Sequence, residues 1–98
     1  MYLKITEREG RKVVAACDKE LIGKVFSEGK AVLDLKRYSS FYQGAECNPE
    51  ELGRALLNFS SANLVGKKCV GVALNKGLAA ESNVKYLQGI PHLHLYKL

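Results

Sequence analysis

A chain of 98 residues with 47% hydrophobic and 26% charged side chains has the size and composition of one folded domain. It has no apolar run near the ~20 residues of a membrane span, and its start, MYLKITEREG, lacks the apolar core of a signal peptide. The sequence therefore predicts one cytosolic domain over residues 1–98 with no membrane contact. The net charge of +5 favours a polyanionic partner such as RNA.

The cysteines and the absence of known motifs limit the kinds of active site and metal site that the chain could form. The three cysteines, Cys17, Cys47 and Cys69, are far apart and odd in number, which predicts reduced thiols rather than a disulfide framework. The chain contains no C-x-x-C pair, no glycine-rich phosphate loop, and neither a G-x-S-x-G nor an H-E-x-x-H motif. These absences argue against a zinc ribbon, a nucleotide hydrolase, a serine hydrolase or a standard zinc protease. We predict no cofactor.

The first half of the chain predicts two hairpins. YLKITE alternates apolar and polar residues, and KVVAAC is β-prone beyond a turn at Gly10, so residues 2–17 form the first hairpin. Asp18 is predicted to cap a short helical turn in DKELIGK, which Gly23 ends. KVFSEGKAVLDLK predicts the second hairpin, and RYSSFYQGAEC, which has no clean period, is predicted to be a loop.

Helix signals follow. Asn48 is a good N-cap, Pro49 suits the first helical position and Glu51 completes a capping box, so a helix is predicted near 49–59. A second helix is predicted from Ser60 or Ser61 to about Lys76. Its apolar stripe would consist of Val65, Cys69, Val72 and Ala73.

Gly66 and Gly71 weaken this second helix or allow another backbone to approach, and Gly77 ends it. NVKYLQ and HLHLYKL then form a third hairpin. The order ββββααββ predicts a two-layer α+β fold: a mainly antiparallel sheet built from hairpins, with two helices packed on one face. The terminal hairpin is expected to join the sheet made by the first four strands.

Several segments resemble a known family in the same order: AACDKELIGKVFSEG, FYQG, SANLVG and GIPHLHLYKL. The chain resembles the archaeal family known as domain of unknown function 424, and the likeness covers nearly its whole length. The resemblance implies a small single-domain archaeal protein without assigned activity or catalytic residues. A link to translation would suit a small, basic, cytosolic archaeal protein.

The two histidines lie near the C-terminus. Residues two apart in a strand share a face, about 6.5–7 Å apart, so His92 and His94 would lie side by side while Leu93 and Leu95 face the core. Two imidazoles could bind zinc only with a third protein ligand, for which Cys17, Asp18 and Cys47 are the candidates. The simpler interpretation is an amphipathic strand with its histidines toward solvent or a groove.

Cys17 is the candidate nucleophile. If KEL begins a helix, Cys17 lies near its positive end, which would lower the pKa of the thiol, and His92 or His94 could act as its base. With Asp18, these residues form the candidate catalytic set. The simpler interpretation is that Cys17 is a small buried core residue, as free cysteines usually are.

The predicted loop carries cations next to aromatic rings. Single-stranded RNA is bound by stacking on aromatics and by basic groups on its backbone, and an amide can bond to base edges. Phe41 and one tyrosine could instead close the core. Lys67 and Lys68 would extend the basic surface, and a bound phosphate would offset their unfavourable place at a helix N-terminus. The candidate RNA-binding residues are Lys36, Arg37, Tyr38, Tyr42, Gln43, Lys67 and Lys68.

The leading hypothesis is a binding module for RNA or a ribonucleoprotein. The first alternative is a small metal- or thiol-dependent enzyme that uses Cys17, Asp18 and the histidine pair. The second is a structural protein-interaction domain.

Overall fold

A computed structural model describes residues 1–97 of the chain as an α+β fold, as predicted. Its main sheet has six strands in the order β5-β1-β2-β6-β8-β7, and β3 and β4 form a separate two-stranded sheet. The strands are β1 (Tyr2–Arg8), β2 (Arg11–Cys17), β3 (Val25–Glu28), β4 (Ala31–Asp34), β5 (Ala45–Glu46), β6 (Ser61–Val65), β7 (Lys85–Leu87) and β8 (Ile90–Tyr96). The helices are α1 (Ser39–Tyr42), α2 (Pro49–Ala55) and α3 (Lys67–Asn75), with 3-10 turns at Lys19–Leu21 and Glu81–Asn83.

The three predicted hairpins are present. β1 and β2 are paired along their whole length, from the Tyr2–Cys17 pair at one end to the Arg8–Arg11 pair beside the Glu9-Gly10 turn. Both turn residues have positive φ, 52° and 76°, which matches the twist of a two-residue hairpin. β7 and β8 turn in the same way at Gln88-Gly89, one residue before the predicted position. The last residue of the predicted terminal strand, Leu98, lies outside the described residues.

The predicted second helix is wrong in its first part, which is strand β6. β6 pairs in parallel with β2 and antiparallel with β8, so its backbone is hydrogen-bonded on both sides. Ala62 and Leu64 face one core and Val65 faces the other, because successive strand residues point to opposite faces. The helix α3 begins only at Lys67, after Gly66.

Both longer helices cover the same face of the sheet, as predicted. α2 has the full Asn48–Glu51 capping box, but its last helical residue is Ala55 rather than Phe59, which is nevertheless buried. α3 ends with bonds from Gly77 N to Leu74 O and from Leu78 N to Ala73 O, which is a Schellman-type C-terminus. The core of this face includes Val14, Ala16, Leu52, Leu56, Leu64, Cys69, Ala73 and Leu93.

The opposite face of the sheet carries the β3–β4 hairpin and α1. The sequence predicted that this hairpin would extend the main sheet. Within residues 1–97, β3 instead pairs only with β4, and the two strands pack as a separate layer on this face of the main sheet. The segment predicted as a loop contains α1 and the short strand β5, which pairs with β1. A second core is thereby formed by Ala15, Cys17, Leu21, Leu35, Tyr42 and Val65.

Among residues 1–97, no helix is long and apolar enough to cross a membrane.

Candidate functional site

A groove of about 780 Å³ lies between the hairpin layer and the open part of the main sheet. One wall comes from β4, α1 and the turn that joins them, and the floor comes from β6 and β8. We call it the aromatic groove. Its lining residues are Val32, Leu33, Asp34, Leu35, Arg37, Tyr38, Phe41, Tyr42, Asn63 and His94.

The floor of the aromatic groove is a cross-strand pair. Asn63 on β6 lies directly opposite His94 on β8, so their side chains share one face. On the other side of β6, Asn63 pairs with Ala15 of β2, which has only a methyl side chain. An amide and an imidazole thus lie side by side on the floor, where each offers both donor and acceptor capacity.

The wall is held by a turn that Asp34 organises. Its Oδ1 accepts hydrogen bonds from the backbone N–H groups of Lys36 at 3.1 Å and Arg37 at 2.8 Å. The Arg37 guanidinium then lies over the Tyr38 ring, 5.5 Å from its centroid, in a cation–π contact. This carboxylate is therefore engaged with its own turn, and the cation next to it is oriented by an aromatic ring.

The three aromatic residues of the wall have different environments. Tyr38 is 53% exposed and Phe41 is 40% exposed, whereas Tyr42 is buried. The Tyr42 ring supports Phe41 in an edge-to-face contact with centroids 5.0 Å apart. Burial raises the pKa of Tyr42 to about 12, so it remains a neutral phenol. Two rings are therefore exposed at the groove, whereas the third borders the groove and closes the core beneath them.

The histidines share one face of β8, as the alternation predicted, with ring centroids 6.3 Å apart. They line a second, smaller hollow of about 310 Å³, which we call the histidine hollow; its lining is Asn83, Lys85, His92, His94 and Tyr96. The pKa of His92 is lowered, first by burial and then by the neighbouring His94 and Lys85. These surroundings therefore favour the neutral imidazole of His92.

The proposed metal ligands are not brought together. Within residues 1–97, no three His, Cys, Asp or Glu side chains are grouped so that they could hold a metal ion. Cys17 pairs with Val65, and Val65 pairs with His92, so Cys17 lies two strands away from His92. The backbones of Cys17 and His92 are therefore roughly 10 Å apart. The third ligand that zinc requires is therefore not supplied.

Cys17 has the environment of a buried core residue, which is the simpler of the two interpretations of the sequence. Its side chain is fully buried, and its thiol donates to the Asp18 carbonyl at 3.3 Å. Burial, reinforced by the charge of Asp18, raises the pKa of Cys17 to about 12, the opposite of the change that the nucleophile hypothesis requires. A thiol that stays protonated and out of contact with solvent is a core residue rather than a nucleophile.

Asp18 caps a different helix from the one predicted. Its carboxylate makes no cap bond to the Lys19–Leu21 turn and instead accepts from the backbone N–H groups of Lys68 and Cys69, each at 3.0 Å. This buried carboxyl group lies at the N-terminus of α3, where a phosphate beside Lys67 and Lys68 would have bound. Lys67 and Lys68 thus need no external anion to offset the helix dipole.

The structure divides the predicted RNA-binding residues into three groups. Arg37, Tyr38 and Tyr42 line the aromatic groove. Lys36 and Gln43 are exposed outside its lining, and Lys67 and Lys68 line a separate hollow beside Asp18. Sequence reasoning missed Asn63, because its position on the groove floor follows only from the strand assignment of β6.

Comparisons with known proteins support this fold. A family described as "Protein of unknown function (DUF424)" matches residues 5–98. The crystal structure of an uncharacterized conserved protein from Methanopyrus kandleri is similar, with a TM-score of 0.79 and 25% sequence identity; the match covers 97% of this chain and 89% of that one. Among curated protein sequences there is no match.

Proposed function

The chain belongs to the DUF424 family, as its sequence motifs predicted, and we propose that it is a binding module for single-stranded RNA. The observation that carries this proposal is the aromatic groove. Tyr38 and Phe41 retain about half of their surface exposed above a floor of Asn63 and His94. Exposed rings beside hydrogen-bonding groups are what unpaired bases require, because a base stacks on a ring and is read at its edge.

Charge supports the same partner. The chain carries a net charge of +5, and Arg37 stands at the groove wall where it can contact a phosphate or stack on a base. The carboxylate in the lining, Asp34, is engaged by two backbone N–H groups. The groove therefore combines stacking surface with a fixed cation.

We also propose a cytosolic location. The support is that Cys17, Cys47 and Cys69 are all free in the structure, and free thiols are typical of proteins in reducing compartments.

Fluorescence anisotropy with a labelled single-stranded RNA tests the proposal. Tyr38→Ala should weaken binding at every salt concentration by about 1–3 kcal/mol, because stacking releases no counterions. The matched control is Tyr86→Ala: Tyr86 is 52% exposed, like Tyr38, but lies on β7 with its hydroxyl bonded to Glu81. This control should bind like the wild type.

Arg37→Gln should act differently. It should reduce the slope of log affinity against log salt concentration by about 0.7, the value for one phosphate contact on a single strand. Arg54→Gln, on the helical side of the sheet, is its control. Binding no tighter than that of an unrelated protein of equal charge, or wild-type affinity in Tyr38→Ala, would show the proposal to be wrong.

A further inference from the structure

The aromatic groove continues into the histidine hollow. His94 lines both, since it lies at the groove floor opposite Asn63 and also beside His92 on the same strand face. His92 is one strand repeat further along, about 6.5–7 Å from His94. A ligand that fills the groove therefore reaches the hollow within the length of one nucleotide.

The hollow offers one ammonium group and several hydrogen-bond donors. Lys85 on β7 lies directly opposite His92 on β8, so the ammonium and the imidazole extend from the same face. Asn83 and the Tyr96 hydroxyl add polar groups, and none of the five lining residues carries a carboxylate. This composition suits an anion, and it contrasts with the mostly apolar and aromatic wall of the groove.

We propose that the histidine hollow binds the phosphate of the nucleotide whose base occupies the aromatic groove. The recognised unit would then be one nucleoside phosphate within a single strand. This inference rests on the proposed function for the base and extends it to the backbone, with Lys85 and His92 as the phosphate ligands.

Binding should be linked to protons. His92 faces Lys85 from β7, His94 and Tyr96 from its own strand, Val65 from β6 and Asn83 from the 3-10 turn. The same turn carries Glu81, whose carboxylate lies outside the lining of the hollow and accepts a hydrogen bond from the Tyr86 hydroxyl. On the hairpin side, Asp34 and Arg37 line the groove beyond His94, and Glu28 accepts a hydrogen bond from the Gln88 N–H in the β7–β8 turn at 3.3 Å. Burial, followed by the neighbouring His94 and Lys85, lowers the pKa of His92. A bound phosphate acts in the opposite direction and favours the imidazolium.

The test compares a dinucleoside monophosphate with its parent nucleoside. The diester carries one constant negative charge between pH 5 and 8, whereas the nucleoside carries none. Because the chain has two histidines, their NMR ring signals can be assigned with His92→Gln and His94→Gln. The diester should raise the pKa of His92 and bind more tightly at pH 5.5 than at pH 7.5. The nucleoside should do neither.

Lys85→Gln should weaken binding of the diester about tenfold, as expected for the loss of a charge-assisted hydrogen bond, and leave nucleoside binding unchanged. Its matched control is Lys76→Gln, at the C-terminus of α3 on the other side of the sheet. If the nucleoside binds as tightly as the diester, and Lys85→Gln has no effect, the phosphate site is wrong while the base site stands. If neither compound binds, the proposed function itself fails.

Discussion

The Gly66 backbone packs against the Asp18 side chain so closely that no side chain could be placed at position 66. A Cβ on Gly66 would lie 2.2 Å from Cγ of Asp18, and the backbone there has a φ of 106°, which L-residues rarely adopt. The close approach lets the buried Asp18 carboxylate reach two N–H groups at the start of α3. The glycine is thus required by the cap that follows it.

We expect Gly66→Ala to lower the free energy of unfolding by about 2 kcal/mol or more, from backbone strain and displacement of the Asp18 carboxylate. Gly71→Ala is the control within the same segment. A Cβ on Gly71 would meet no atom within 4 Å, and the residue is interior to α3, so this change should stabilise by about 1 kcal/mol. Urea unfolding measures both. Equal effects of the same sign would contradict this account.

Elements with strong local signals were predictable, and α2 is the clearest case. Asn48 Oδ1 accepts from Glu51 N at 2.8 Å, and Glu51 Oε1 accepts from Asn48 N at 3.1 Å, which is the pairing that the sequence suggested. The early end of α2 at Ala55 was not predictable from periodicity, because Leu56 and Phe59 are buried whether or not the backbone between them is helical.

Asn48→Ala should destabilise the protein by about 1 kcal/mol, the usual cost of losing an N-cap side chain. Asn58→Ala removes the same side chain from an exposed position beyond α2 and should change the free energy of unfolding by less than about 0.5 kcal/mol. Thermal or urea denaturation compares the two variants. A loss in Asn48→Ala no greater than in Asn58→Ala would mean that the capping box contributes little.

β6 could not be predicted because what makes it a strand lies elsewhere in the chain. SANLV has neither the β-branched content of a typical strand nor a turn signal before it, and Ser60 and Ser61 resemble helix caps. Its pairing with β2 on one side and β8 on the other decides its structure. Because β6 was not predicted as a strand, the place of Asn63 in the candidate site could not be predicted either. Arg37 and Tyr38 were predicted because cations lie next to aromatic residues in that segment of the sequence.

On the scale of the whole molecule, the two faces of the main sheet are covered unequally. α2 and α3 bury an extensive core on one face. Within residues 1–97, β3 and β4 on the opposite face pair only with each other and leave Val25 and Val32 largely exposed. Strand order and the separate hairpin were beyond sequence reasoning, because hairpin signals specify local pairs and not how those pairs associate.

Hydrogen exchange should reveal this inequality. Amides in β2 and β6, at the centre of the six-stranded sheet, should exchange only on global unfolding, whereas those of the β3–β4 hairpin should exchange through smaller openings. Native-state exchange followed by NMR measures the free energy of each opening. Hairpin amides as protected as those of β2 would show instead that the two layers unfold as one unit.

The position of β6 also bears on the order of assembly. The β1–β2 and β7–β8 hairpins close through two-residue turns, so each can form with little loss of chain entropy. β6 has no such neighbour, since both of its partners lie beyond long intervening segments. Contacts that close long loops form late. We therefore expect the two hairpins to form first. The five-residue strand β6 would then insert between them, so that the central strand of the sheet is the last to pair.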